Sequence, residues 1–171
     1  HSTYRPVAVY ASDVNGDGII ELPRAVLMAG YKDTSSSDAV YMLDWYAYGI
    51  GKVPVKVATT YQNISDAWSL LIDQKWHDRI TAIKANDGGL SYVEFFEYRK
   101  NKMSIPLFNI YCATGSNREY YAERTDLIQL GQTTQAIYFA KLTNEGEQSE
   151  LALTGDEIKA RFSLVNQAWN N

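Results

Sequence analysis

The chain has 171 residues, of which 46% are hydrophobic, and it carries a formal net charge of −4. This length and composition suit one domain, or one domain with a small appendage, and the mild acidity argues against a nucleic-acid partner, which needs clustered basic residues. No apolar run approaches the roughly 20 residues of a transmembrane helix, so no membrane-spanning segment is expected in this chain.

The predicted elements begin with an N-terminal hairpin. The apolar run at 7–11 predicts a strand that leads into an acidic loop, and residues 25–30 predict the returning strand. The polar run at 32–38 predicts a connection. We therefore expect two units, the loop hairpin at 1–30 and a larger domain at 31–171.

Strands dominate the larger domain. The alternation of Val53, Val55 and Val57 with other residues predicts a half-buried strand, and the basic run at 99–102 is interpreted as a solvated turn between two strands. A short helix is predicted at 117–124. The predicted strands of this domain lie at 40–49, 53–61, 67–72, 79–85, 90–99, 105–113 and 136–142.

The end of the chain carries a helix signature. Thr154 followed three residues later by Glu157 is typical of a capping box. Apolar residues then follow at the spacing of one helical face, at Ile158, Phe162, Val165 and Trp169. We therefore predict an α+β fold, mainly an antiparallel β-sheet with the C-terminal α-helix packed on one face.

The acidic loop has the spacing of a metal site. Asp13, Asn15 and Asp17 stand at alternating positions, and Glu21 follows four residues after Asp17. Calcium takes six to eight oxygen ligands, and this loop offers four oxygen-bearing side chains and the backbone carbonyl of Ile19. These five residues are the predicted calcium ligands. The alternative is a turn rich in Asn, Asp and Gly because those residues tolerate left-handed dihedral angles.

The residues around the predicted ligands decide which known type of calcium loop this segment can be. Gly18, after the third ligand, permits a sharp turn, and Ile20 is expected to anchor the loop in a core. An EF-hand would need a glutamate at the twelfth loop position and flanking helices. Arg24 occupies that position, Pro23 precedes it, and the flanks are predicted as strands. The loop is therefore not an EF-hand.

The pattern D-x-N-x-D-G-x-x-E between two predicted strands resembles the calcium loop of FG-GAP or VCBS-type repeats, over residues 6–30. Such repeats build β-propellers, so the resemblance implies that the hairpin could be the tail of an upstream propeller. With the domain that follows, the chain also resembles uncharacterised exported lipoproteins of Clostridia-type bacteria. That resemblance implies an extracellular or cell-surface location and a lipid anchor upstream, but no known activity. The partner is left open, with a glycan or a surface protein as the candidates.

Catalytic signatures are scarce. His77 next to Asp78 is interpreted as a surface turn, and Glu94 and Glu97 face opposite sides of one strand, so each is interpreted as a partly solvated sheet residue. Cys112, the single cysteine, has apolar neighbours that predict a buried thiol.

The sequence thus favours a non-enzymatic bacterial cell-envelope domain with a structural calcium site, whose role and partner stay open. One alternative is a carbohydrate-binding module, for which Tyr46 and Tyr48 are the candidate ligand-binding residues because they share a strand face opposite Trp45. A second alternative is a hydrolase without a recognisable motif.

Overall fold

The computed structural model describes residues 6–31, 38–49, 51–87, 90–116 and 118–165, and these residues form ten strands and two short α-helices. The strands are β1 (Leu22–Leu27), β2 (Tyr41–Ala47), β3 (Val55–Asn63), β4 (Trp68–Leu71), β5 (Ile80–Asp87), β6 (Leu90–Arg99), β7 (Lys102–Thr114), β8 (Ile128–Gln132), β9 (Ala136–Leu142) and β10 (Phe162–Leu164). The helices are α1 (Arg118–Ala122) and α2 (Gly155–Arg161).

The strands form two five-stranded sheets, and every pairing in them is antiparallel. The first sheet has the order β1-β2-β3-β4-β10, and the second has the order β5-β6-β7-β9-β8. The prediction of a mainly antiparallel β structure with a C-terminal helix is confirmed. The strands divide into two sheets, however, rather than forming the single sheet that the sequence suggested.

One continuous core lies between the sheets. Aromatic rings meet there across the gap, with Tyr61 of β3 edge-on to Phe95 of β6 at a centroid separation of 5.4 Å. Within the first sheet, Trp68 of β4 stacks on Phe162 of β10 at 5.9 Å. Cys112 is buried in this core, as predicted, and desolvation raises the pKa of its thiol to about 11. A thiol in this state is a packing group, because its reactive thiolate form is disfavoured.

A local sequence signal places the hairpin between β6 and β7. β6 ends at Arg99 and β7 begins at Lys102, and the two residues between them, Lys100 and Asn101, have φ angles of 49° and 60°. These left-handed values are those of a tight hairpin turn, and they confirm the predicted turn between two strands.

The predicted burial of Val53, Val55 and Val57 is wrong. These side chains are 82%, 62% and 36% exposed, and burial of β3 begins only near Ala58. The alternation of residue types therefore shows which side chains share a face of this strand. It does not show whether other residues bury that face.

The C-terminal helix is shorter than predicted. The capping box is confirmed, since Thr154 Oγ1 accepts from the Glu157 N–H and the Glu157 side chain accepts from the Thr154 N–H. Phe162, however, begins β10 and pairs with Leu70, so the predicted helical face does not continue through Phe162 and Val165, and Trp169 lies outside the described residues.

Both helices are small. α2 contacts β4 of the first sheet and β8 and β9 of the second, so it lies at a margin where the two sheets meet. The short helix predicted near 117–124 is confirmed as α1. Within the described ranges, no helix is long and apolar enough to cross a membrane.

Candidate metal site

The acidic loop leads directly into the edge strand β1. The predicted strand at 7–11 is wrong, because regular pairing before β1 is limited, among the described residues, to a bridge between Ser12 and Glu21. Their backbone groups exchange two hydrogen bonds of 3.1 and 3.0 Å. This bridge closes the loop 13–20 at its base, and β1 then pairs with β2 from Leu22 onward.

Asp13 organises the loop through backbone amides. Its Oδ1 accepts from the N–H groups of Gly16 at 2.7 Å and Asp17 at 3.2 Å, and its Oδ2 accepts from Gly18 at 2.8 Å. The Gly18 hydrogen bond contributes most to holding the pKa of this carboxyl below its ordinary value of 3.8, against a smaller opposing effect of desolvation. The turn is possible because Gly16 and Gly18 have φ angles of 76° and 83°, which glycine adopts without strain.

The next two predicted ligands contact one another. Asp17 Oδ2 accepts from the Asn15 side-chain amide at 3.0 Å, and Asn15 Oδ1 accepts from the Asp17 N–H at 3.1 Å. Asp17 Oδ1 also accepts from the Ile19 N–H at 2.8 Å. The predicted anchoring by Ile20 is wrong, since its side chain is 59% exposed.

Glu21 differs from the other loop residues in its burial. Its side chain is fully buried, although the neighbouring residues Ile20 and Leu22 are exposed. Oε2 accepts from the Val14 N–H at 3.0 Å, which directs the carboxylate back toward the start of the loop. Oε1 is buried and has no hydrogen-bond partner among the described residues. An unpartnered buried carboxylate oxygen is uncommon and calls for a physical explanation.

The loop also concentrates negative charge. Asp13, Asp17 and Glu21 lie within nine residues, and in the described part of the chain no Lys or Arg comes within ion-pair distance of them. Among the described residues, no three His, Cys, Asp or Glu side chains converge closely enough to hold a metal ion. Asp13 and Asp17 are turned toward the amides of the loop instead.

The donor set suits a hard cation. Carboxylate, amide and carbonyl oxygens are the ligands that Ca²⁺ takes, in a flexible geometry with six to eight donors. The loop offers three carboxylates, from Asp13, Asp17 and Glu21, and the side chain of Asn15 and the carbonyl of Ile19 are further oxygen donors. Among the buried side-chain oxygens of this loop, Glu21 Oε1 has no hydrogen-bond partner in the described residues.

The two candidate ligand-binding tyrosines lie at the far end of β2. Tyr48 is 55% exposed and follows the strand, whereas Tyr46 is half-buried and pairs with Leu22 of β1. A β-bulge falls between Trp45 and Tyr46. Carbohydrate binding by Tyr46 and Tyr48 stays a prediction.

The residues weighed for catalysis take part in different contacts. His77 Nδ1 lies 3.2 Å from the exposed carboxylate of Asp78, as expected for a surface turn. The interpretation of Glu97 as partly solvated is wrong, because it is fully buried. Its Oε1 accepts from Arg79 and Arg99, and its Oε2 accepts from Ser149 at 2.7 Å.

Comparisons of this chain with protein families, with curated proteins and with solved structures find no match. The similarity of the loop to FG-GAP or VCBS-type repeats therefore depends on the loop residues alone.

Proposed function

We propose that this chain is a non-enzymatic domain of a bacterial cell envelope, and that its loop 13–21 binds one structural calcium ion. The ligands in this proposal are the side chains of Asp13, Asn15, Asp17 and Glu21 and the carbonyl of Ile19. Because the ion binds the folded loop and not the unfolded chain, calcium stabilises the domain by mass action.

The observation that carries the proposal is the buried carboxylate of Glu21. Burying a charged group without a partner is costly, and proteins normally pair such a group or use it to coordinate a metal. Glu21 Oε1 has no partner among the described residues, while Oε2 is held toward the loop by Val14. A cation between Glu21 and the Asp13–Asp17 turn would supply the missing partner.

The proposed calcium ion also supports a proposed location. A loop that can bind calcium with modest affinity is useful where free calcium reaches the millimolar range of extracellular modules. This agrees with the resemblance to exported lipoproteins, and we propose a cell-surface location on that basis. The partner of the domain, a glycan or another surface protein, is not specified by the calcium site.

Isothermal titration calorimetry tests the proposal. We expect one calcium ion per chain and a rise in the unfolding temperature with calcium, and little response to magnesium, which demands a stricter octahedral geometry. Asp17→Ala should remove both effects. The matched control is Glu147→Ala, another exposed acidic residue outside the loop, which should leave calcium uptake unchanged.

Two results would contradict the proposal. One is the absence of calcium uptake at millimolar concentration by the unmodified protein. The other is uptake that survives Asp17→Ala with the same stoichiometry and affinity, which would place the ion elsewhere.

A further inference from the structure

We propose that calcium at the loop controls whether the first four residues of the edge strand β1 stay paired with β2. This inference rests on the proposed function, because it assigns a mechanical consequence to the same site. The segment concerned is 22–25, between the loop and the well-anchored end of the strand.

The C-terminal end of β1 is held independently of the loop. Met28, directly after the strand, is fully buried in the core and donates its N–H to the Val40 carbonyl at 2.9 Å. A few residues later the Tyr31 hydroxyl donates to the Ala82 carbonyl of β5 at 2.7 Å. These contacts hold the chain on both sheets whether or not an ion is bound.

The N-terminal end of β1 has few anchors of its own. Leu22 and Arg24 are exposed, and Pro23 has no N–H to donate. In the described part of the chain, β1 pairs along its length with β2 alone. Its remaining attachment at this end is the bridge from Glu21 to Ser12, so Glu21 decides how firmly the strand begins.

Glu21 can favour or oppose this pairing. Without an ion, its Oε1 stays buried without a partner, and opening the 22–25 segment would let the carboxylate reach water. With an ion bound, opening the segment would break coordination and so require calcium to leave. The same residue therefore weakens the start of β1 without calcium and strengthens it with calcium.

The consequence extends into the first sheet. Pro23 and Ala25 lie opposite Trp45 and Leu43 of β2, and both of these large side chains are buried. Trp45 Nε1 donates to Thr60 Oγ1 at 2.9 Å, which fixes the indole on β3. Release of the 22–25 segment would uncover the edge of β2 beside these two residues.

Hydrogen–deuterium exchange of the whole chain, with and without calcium, tests the inference. With free calcium at 100 times its dissociation constant, openings that release the ion should become about 100-fold rarer. We expect that increase in protection for the 22–25 segment. The control is β8, an edge strand of the second sheet whose local opening does not involve the loop. Its rapidly exchanging amides should not change.

Two variants separate the effect of calcium binding from the effect of the buried charge of Glu21. Asp17→Ala should leave the 22–25 segment at its calcium-free protection whatever the calcium concentration. Glu21→Gln removes the buried charge but keeps an acceptor for Val14. It should therefore raise the protection of this segment in calcium-free buffer and abolish the response to calcium.

The outcomes distinguish this inference from the proposed function. If calorimetry shows calcium uptake but the 22–25 segment gains no more protection than β8, the inference is wrong and the calcium site stands. If Glu21→Gln lowers the calcium-free protection of the segment, the inference is also wrong. If no calcium is taken up, both proposals fail.

Discussion

Two glutamates of this protein are equally buried and differently partnered. Glu97, on β6 of the second sheet, receives hydrogen bonds on both oxygens, from Arg79 and Arg99 on one and from Ser149 on the other. Glu21, beside β1 of the first sheet, receives one from the Val14 N–H, and its second oxygen has no partner among the described residues. Within the described residues, side chains of the protein thus neutralise one buried carboxylate, whereas the other has one oxygen without a partner.

The difference indicates what each residue is for. The second sheet compensates its buried charge with two arginines that reach solvent on their outer sides, so Glu97 holds the strand and the 149–150 segment together. The loop provides no such cation, and an ion from solution would have to supply the charge. A buried carboxylate whose partners belong to the chain therefore stabilises the fold. A buried carboxylate that lacks such partners is a candidate for binding a cation.

The largest effect is expected from Glu97→Ala. The substitution leaves two guanidinium groups beside each other and removes the acceptor of Ser149, so unfolding free energy should fall by roughly 3 kcal/mol, at the lower end of the range for a broken buried pair because both arginines are half-exposed. Urea unfolding measures the change. Glu150→Ala, which removes the exposed partner of Arg79, is the control and should cost less than about 1 kcal/mol. Equal losses in the two variants would show that burial of Glu97 contributes nothing.

A second experiment compares the two carboxylates directly in calcium-free buffer. Glu97→Gln should destabilise the fold, because it removes the charge that the two arginines surround. Glu21→Gln should leave stability unchanged or raise it by about 1 kcal/mol, since a neutral amide costs less to bury than an unpartnered carboxylate. Chemical unfolding of both variants measures the sign of the change in unfolding free energy. If both substitutions destabilise the protein to the same degree, the contrast between the two sites is wrong.

The pH dependence of stability gives a third test. Burial on its own would raise the pKa of Glu97, but hydrogen bonds from Ser149, Arg99 and Arg79 and the charge of Arg99 outweigh it, so the pKa lies below its ordinary value of 4.5. A lowered pKa in the folded state means that Glu97 contributes stability above pH 4.5 and loses that contribution as the pH falls through the folded-state value. As the pH falls below 5, the Glu97→Gln variant should therefore lose less unfolding free energy than the wild type does. A variant that loses as much as the wild type would contradict this assignment.

Local signals in the sequence predicted the parts of the fold that depend on near neighbours. The capping box of Thr154 and Glu157 and the turn at Lys100 and Asn101 need contacts only a few residues apart. The predictions were wrong where the burial or pairing of a residue depends on segments that are distant in the sequence. Phe162 has helical spacing after Ile158, but it pairs with β4 instead, because an open strand edge there competes with another helical turn.

The same limit applies to the candidate site. The spacing of Asp13, Asn15, Asp17 and Glu21 predicted oxygens gathered around a calcium ion, and that site stays a prediction. In the structure, Asp13 and Asp17 accept hydrogen bonds from amides of the loop. The sequence could not show that Glu21 would be buried and Ile20 exposed, because the pairing of Ser12 with Glu21 sets which side chain turns inward. The partners of Glu97 were also hidden, since Ser149 lies 52 residues away in the chain.

The smallest effect is expected at Ile19, whose carbonyl and not its side chain is assigned to the ion. The side chain is half-exposed, so Ile19→Ala should change unfolding free energy by less than about 0.5 kcal/mol. Its calcium affinity, measured by calorimetry, should stay within about twofold of the wild type, a difference well under 1 kcal/mol.

Gly18→Ala is the matched small change at the residue before Ile19. It forces a β-carbon onto a backbone at φ 83°, so it should cost roughly 1 kcal/mol and weaken calcium binding, although nothing within 4 Å would contact the added carbon. If Ile19→Ala weakened calcium binding as much as Gly18→Ala, the side chain rather than the backbone of Ile19 would matter. The assignment of its carbonyl as a ligand would then be wrong, and with it the view that the loop completes the coordination that Glu21 begins.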